Sequence, residues 1–296
     1  MKDLWVSVSG AIAAQQNVET IANNVANANT PGFKRDQLTF KEQLTALTKG
    51  MEDVDLPQKE WAPEDFYRSY GAEDAYVKVD GSHTIHEQGQ LSPTSNPLDL
   101  ALSGKGFFEV QTPNGIRYTR KGNFSIGKDG SLVTDQGFPV LSRANLTGTE
   151  IIAPTVNLAS DKTAKNEVAR MPANQIPTPE ERKINVGTGG KISITRDGEV
   201  YLAGNKIADL SVIEFIDGQT LRKEGNSLYI NNDFANVIKT PPKTAVHQGF
   251  VEESNVNAVT EMSNLIKANR QFESIQRAIK AYDGITGRSV NEIGKF

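Results

Sequence analysis

Few residues in this chain have the types and spacing that chemistry needs. Ser82-His83-Thr84-Ile85-His86 holds two histidines three apart, and Glu52-Asp53, Glu64-Asp65 and Glu73-Asp74 are adjacent carboxylate pairs. Two histidines on one helix face could share a metal ion. The stretch around them reads as extended, however, and on a strand residues three apart point to opposite faces. No metal site is expected there. Paired carboxylates do acid–base work only where their environments split their pKa values. All three pairs lie in one acidic stretch, where solvated charge is the simpler reading. His247 stands alone and reads as a surface residue. Gly187-Thr188-Gly189-Gly190 lacks the strand–turn–helix setting of a dinucleotide loop. Gly284-Ile285-Thr286-Gly287-Arg288-Ser289 has the wrong spacing for a phosphate loop, Arg for Lys, and a helical setting. The chain has no cysteine, which excludes disulfides and thiolate metal sites. With no nucleophile–base constellation and no cofactor loop, the expectation is a protein that is not an enzyme and needs no cofactor.

What remains is architecture. The 296 residues suffice for one large domain or two smaller ones, and only 37% are hydrophobic. That share is low for a globule. It suggests that part of the chain is extended or buries its apolar face against partners. The formal net charge is −4, with basic residues scattered. Nothing in that balance argues for nucleic acid. No run of about 18 apolar residues is present, so no membrane span is expected. The first 20 residues lack a basic region followed by a long apolar core, so no cleavable secretory signal is expected.

The segment 1–48 opens with a helical pattern. Leu4, Val8, Ala11, Gln15, Val18, Ala22 and Val25 alternate steps of four and three, a heptad seam of mostly small apolar residues flanked by Ile12 and Ile21. Such a seam either packs on its own domain or admits a partner closely. Asn23, Asn24, Asn27 and Asn29 crowd its end, although Asn is a poor interior helix residue. Thr30-Pro31-Gly32 stops the helix. A second short helix is expected over 37–48. From 49 to 80 the chain carries four basic and nine acidic residues and two prolines, an extended acidic connector.

From 81 to 250 the texture is that of a mainly antiparallel β domain. GFFEV (106–110), IRYTR (116–120) and NFSIG (123–127) are β-rich runs, separated at Asn114-Gly115 and followed by Asp129-Gly130. Asn-Gly and Asp-Gly are strong hairpin signals. Residues 121–141 and 189–207 share one order: strand, Asp-Gly turn, strand, glycine, strand. Between them 155–189, with Pro172, Pro177 and Pro179, reads as an irregular insertion. The segment 251–296 is helical again. Asn257 is its expected cap, and Met262, Leu265, Ile266, Phe272, Ile275, Ile279 and Tyr282 form one apolar stripe. The fold class is therefore α+β: two terminal helices, suited to pair in a coiled-coil-like layer, bracket a β middle.

Three separated blocks carry a resemblance. SGAIAAQQNVETIANNVANANTPGFKR (9–35) and GFVEESNVNAVTEMSNLIKANRQFESIQRAIKAYD (249–283) are similar to the terminal signatures of bacterial flagellar rod and hook proteins. LDLALSGKGFFEV (98–110), YTRKGNFSI (118–126) and DGSLVTDQGFPVL (129–141) resemble their β-domain motifs. The length and the ending ITGRSVNEIGKF look more like the proximal than the distal rod branch. The acidic connector and the insertion depart from the usual pattern.

The resemblance implies a structural subunit of the flagellar basal-body rod, the axial drive shaft that spans the periplasm. It implies export by the flagellar type III apparatus without a cleaved signal, and assembly with other copies and neighbouring rod proteins. The terminal helices would form the inner layer. The implied interface comprises Leu4, Val8, Ala11, Val18, Ala22, Asn23, Asn24, Val25, Asn27, Thr30, Gly32, Phe33, Met262, Leu265, Ile266, Asn269, Phe272, Ile275, Ile279 and Tyr282. On that reading the asparagine amides bond to neighbouring subunits and fix register, and Phe33 anchors its turn on a neighbour. The alternative for the asparagines is that they cap the helix end near Thr30. Beside the rod stand a secreted β-domain binding module or adhesin, and a hydrolase with a site hidden in the insertion.

Overall fold

The computed structural model describes residues 2–46, 73–143, 178–187, 190–238 and 242–293. The side chains of residues 2–5, 42–46, 73–76, 234 and 289–293 are outside the description. Close contacts divide the described chain into two units, one of residues 1–27, 36–85 and 256–296, the other of residues 28–35 and 86–255.

In the first unit α1 (Lys2–Ala26) and α2 (Ala258–Ile293) lie against one another, and a hairpin of β1 (Asp36–Ala46) and β2 (Glu73–Thr84) packs on α1. Alanines at 11, 13, 14, 22 and 26 favour helix in α1. Asn257 caps α2: its side-chain oxygen accepts the Thr260 N–H at 3.1 Å, and Glu261 sits in the first turn. The helix expected over 37–48 is instead β1, which pairs antiparallel with β2 from Asp36↔Thr84 to Ala46↔Glu73. Its alternation of Leu38 and Phe40 with Gln37 and Thr39 has the period of a strand. The helical expectation missed that period. By the same pairing the connector expected over 49–80 ends earlier, because residues 73–80 belong to β2; residues 49–72 lie outside the described residues.

The second unit is antiparallel β. Its main sheet runs β12-β5-β6-β14-β13, with β5 (Gly106–Thr112) next to β6 (Gly115–Thr119) as the Asn114-Gly115 turn predicts; β12 is Val212–Glu214, β13 Arg222–Gly225 and β14 Leu228–Ile230. A smaller sheet joins β9 (Ile192–Ile194), β10 (Glu199–Leu202) and β11 (Asn205–Asp209). The pairs β7 (Phe124–Ile126)–β8 (Leu132–Thr134), β4 (Leu100–Ser103)–β15 (Ala245–Gln248) and β3 (Leu91–Pro93)–β16 (Phe250–Glu252) complete it. The turns at Asp129-Gly130 and Asp197-Gly198 separate β7 from β8 and β9 from β10, the shared order read in the sequence.

Strand β5 is buried on both faces, and its period-2 alternation feeds two cores. Phe108 and Val110 enter the larger one with Leu100, Leu132, Val200 and Leu210. Phe107 enters an aromatic cluster with Phe215 and Tyr229, ring centroids 5.5 Å away in each case. The expected insertion is corrected at its end. Ile184 and Val186 are part of the larger core, and Arg182 forms an ion pair with Glu109, whose carboxylate also accepts the Ser211 hydroxyl at 2.5 Å. The prolines before this stretch masked two core residues. Residues 155–177 lie outside the described residues.

Candidate assembly surface

The stripe expected as one face of α2 divides into two. Leu265, Phe272, Ile275 and Ile279 are half-buried, and with buried Glu261 and Ala268 they continue a heptad seam; α1 lies along this helix. Met262 and Ile266 belong to another face. They are 51% and 56% exposed, and with Val259 at 76% they make a row at spacings of three and four. Tyr282 and Ile285 are also open, and Asn269 is exposed.

On α1, Val8, Ala11, Val18 and Val25 are half-buried, Ala22 and Asn23 are exposed, and Ile12 is open. The side chain of Leu4 lies outside the described residues. The deepest positions of the described helix are not on the expected seam at all: they are Ala13 and Asn24. The seam residues are only partly covered because α1 is shared between α2 and the hairpin.

Two of the asparagines are used within the chain, which corrects the expectation that their amides bond neighbours. The Asn24 amide nitrogen donates to the Asp36 carbonyl at 2.8 Å, and its oxygen accepts the Asp36 N–H at 3.0 Å. One side chain thus pairs with backbone as a strand neighbour would, and fixes the start of β1 on α1. The Asp36 carboxylate in turn accepts the Thr84 hydroxyl at 2.7 Å. Asn27 closes the helix end: its backbone N–H and its side-chain amide both donate to the Asn23 carbonyl, at 3.1 and 2.9 Å. That is the capping role held open as the alternative.

The turn after α1 is also internal. Phe33 is only 4% exposed and lies under Lys223, whose ammonium stands 3.8 Å from the ring centroid. The expectation that Phe33 anchors on a neighbour is corrected, because its own β unit already covers the ring. Thr30 is half-buried, and its carbonyl accepts the Phe33 N–H. Gly32 has φ +68°, and a Cβ there would stand 2.6 Å from the Lys121 amide nitrogen, so only glycine fits. Its N–H donates to the Glu252 carbonyl at 2.7 Å.

Around this turn sits a buried polar junction that the sequence reading missed. Lys34 donates from Nζ to Glu252 Oε1 at 2.5 Å and to the Glu87 carbonyl at 2.6 Å. Arg120 reaches the other Glu252 oxygen at 3.3 Å and the Gly104 carbonyl, and the Gly89 N–H donates to Glu252 at 2.9 Å. Asn255 accepts the Arg35 N–H at 2.7 Å and donates to Glu87 O at 3.2 Å. Lys34, Arg120 and Glu252 are all buried. Burial lowers the pKa values of Lys34 and Arg120 from their ordinary ranges, against the attraction of Glu252. His86 lies beside them, and burial together with the charges of Lys34 and Arg120 pushes it down to about 4. The sequence carried no clear signal for this junction, because Lys34 is followed by Arg35-Asp36 and Glu252 by Glu253, so each reads as part of a charged, solvated stretch.

Among the described residues, no group of three or more histidines and carboxylates is placed to hold a metal ion. His83 lies on β2, and His86 follows it in the β unit. No helix among the described residues is long and apolar enough to cross a membrane.

Comparison with known proteins gives three family matches in chain order: "Flagella basal body rod protein" at 4–34, "Flagellar hook protein FlgE/F/G D1 domain" at 101–202, and "Flagellar basal body rod FlgEFG protein C-terminal" at 247–292. Among similar curated proteins is the flagellar basal-body rod protein FlgG of Buchnera aphidicola subsp. Schizaphis graminum, 32% identical with 95% of each chain covered. FlgG of Bacillus subtilis is 28% identical with 98% of each chain covered. FlgF of Caulobacter vibrioides is also 28% identical, with 99% of this chain and 98% of the relative covered.

Proposed function

The chain belongs to the flagellar basal-body rod protein family and is a structural subunit of that rod, and from that premise we propose that it polymerises through its terminal helices. The family is structural, not enzymatic, and its members assemble with other flagellar components. The binding-module alternative is not favoured, since the relatives match over the whole length, terminal helices included. A hydrolase is set aside on the same ground. FlgG relatives match at 28–32% and FlgF relatives at 28%, in each case over nearly the whole chain, so the family is assigned and the proximal branch is left as a proposal.

One observation carries the assembly reading. The row Val259, Met262 and Ile266 is left open on α2 while the neighbouring seam of Glu261, Leu265, Ala268 and Phe272 is buried or half-buried. An amphipathic helix with a second, unpaired apolar row suits a layer in which each helix has neighbours on more than one side. In the proposed rod the partners are further copies of this chain and adjoining rod proteins. The α1–α2 pair forms a coiled-coil-like inner layer, with Val8, Ala11, Val18, Ala22, Asn23, Asn269 and Tyr282 at or near the subunit contacts. Delivery is by the flagellar export apparatus without a cleaved signal, into a rod that spans the periplasm.

The test is the triple substitution Val259→Asp, Met262→Asp and Ile266→Asp. The free protein should melt as the unsubstituted one does, because these side chains are already in water. Basal bodies isolated from the cells should lack complete rods, and the cells should not swim. Normal swimming would remove this face from the interface.

A further inference from the structure

The polar junction of the β unit contains one group that its hydrogen bonds do not explain. The His86 ring is packed against Phe107 and Tyr229, with centroids 5.7 and 5.4 Å apart, and lies so close to Gly218 that a Cβ there would stand 3.0 Å from the ring. Neither ring nitrogen meets a partner at hydrogen-bond geometry, the Gly218 backbone alone lying near. The charged groups facing it are three cations: Lys34 from the turn after α1, Arg120 from the end of β6 and Lys223 from β13. Of the carboxylates of the cluster, Glu252 on β16 is taken up by Lys34 and Arg120, while Glu87 also attracts Lys34 and Glu214 on β12 also attracts Arg120. Asp217, beside Gly218, accepts the Gln219 N–H, and the phenol of Tyr229 is the remaining titratable neighbour.

We propose that this junction is an acid-released latch, in which a proton taken by His86 frees residues 30–35 and β16 from the β unit. The imidazole takes that proton from solvent on a ring nitrogen. It then adds a fourth cation to a cluster in which Glu252 already serves two. The weakest parts of the arrangement yield first. Residues 30–35 are held by the Lys34–Glu252 pair, by Lys223 donating to the Lys34 carbonyl at 3.0 Å, and by the Gly32–Glu252 backbone bond. Lys34 and Lys223, which make two of these contacts, are among the cations that act on the histidine, and the two stretches lead along the chain to α1 and α2.

The sign follows from the shift. His86 titrates near 4 in the closed state and near 6.5 when released. The released state therefore binds the proton more tightly between those values. The latch is closed above about pH 6.5 and loses hold as pH falls towards 4. The equilibrium constant for release should rise about 30-fold from pH 8 to pH 5.

Hydrogen exchange of the full chain, corrected for the intrinsic pH dependence, reads this directly in peptides covering 28–35 and 247–255. Protection there should fall by that factor by pH 5, while peptides from β5 and β6 hold. His86→Phe keeps the aromatic packing without a titrating nitrogen and should abolish the pH dependence above pH 5. The same fall in His86→Phe would overturn the proposal and assign acid release to a carboxylate. If that variant does not fold, the imidazole titration of the unsubstituted chain by NMR decides: a midpoint near 4 supports the latch, and one near 6.5 overturns it.

Discussion

Replacing Glu252 by Gln removes one charge and almost no volume. Gln can still accept the Gly89 N–H, but Lys34 and Arg120, both buried, lose the anion between them. Removing one partner of a buried ion pair costs about 3–5 kcal/mol, because the other charge is left without compensation in a poorly polarisable interior. Here two cations are left, so the upper part of that range applies. In a unit of this size each kcal/mol lowers Tm by about 2–4 °C. At about 4–5 kcal/mol the drop should lie between about 8 and 20 °C, read by far-UV circular dichroism of the purified chain at pH 7.5. Lys34→Met combined with Glu252→Gln should lose less than the sum of the two single changes, since the second removes a charge already stranded by the first. A Tm within about 2 °C of the unsubstituted chain would refute the reasoning. It would mean that water reaches Lys34 and Arg120, and that the junction adds specificity without stability.

Asn24→Ala should release the start of β1 from α1, and with two hydrogen bonds lost should cost about 1–3 kcal/mol, seen as faster hydrogen exchange at Asp36 and Gln37. Ile184→Ala should cost about 2–5 kcal/mol in the β unit, measured by urea unfolding, because the residue is fully enclosed in the larger core; a change below about 1 kcal/mol would return residues 178–187 to the status of a loose excursion. Leu265→Asp should loosen α2 within the free chain and also stop swimming, since Leu265 is half-buried before any assembly; limited proteolysis that leaves α2 as resistant as before would contradict the intramolecular packing.

The sequence was most legible where local chemistry decides structure. Asn114-Gly115 and Asp129-Gly130 marked their hairpins because few other residues fit those turns. Asn257 marked the start of α2 through its side-chain oxygen. The reading failed where long-range pairing overrides local preference. Residues 37–46 show a short strand-like alternation, but it is pairing with β2, whose partners lie 27 or more residues along the chain, that makes them a strand. The same holds for Asn24: its partner, the Asp36 backbone, becomes visible only once the chain has turned back, whereas the Asn27 contact with the Asn23 carbonyl is local to the helix end. The apolar stripe of α2 was found as a set of residues but not as two faces, because which face is covered depends on where α1 lies.

Lys34 and Glu252 are 218 residues apart and touch. Both belong to the β unit, and that contact can form only after the chain has been made as far as residue 252, since closing so long a loop in an unfolded chain is entropically costly and brings little in return. Once it holds, the short segments of chain that lead from residues 34 and 252 to α1 and α2 start from one point of the β unit, and each helix meets the other at the high effective concentration of a short tether. Their pairing is thereby timed. The first helix is synthesised with its partner still more than two hundred residues from completion. It stays unpaired until the last part of the chain arrives, so a subunit with an unfinished β unit cannot present a finished helix pair to a growing structure.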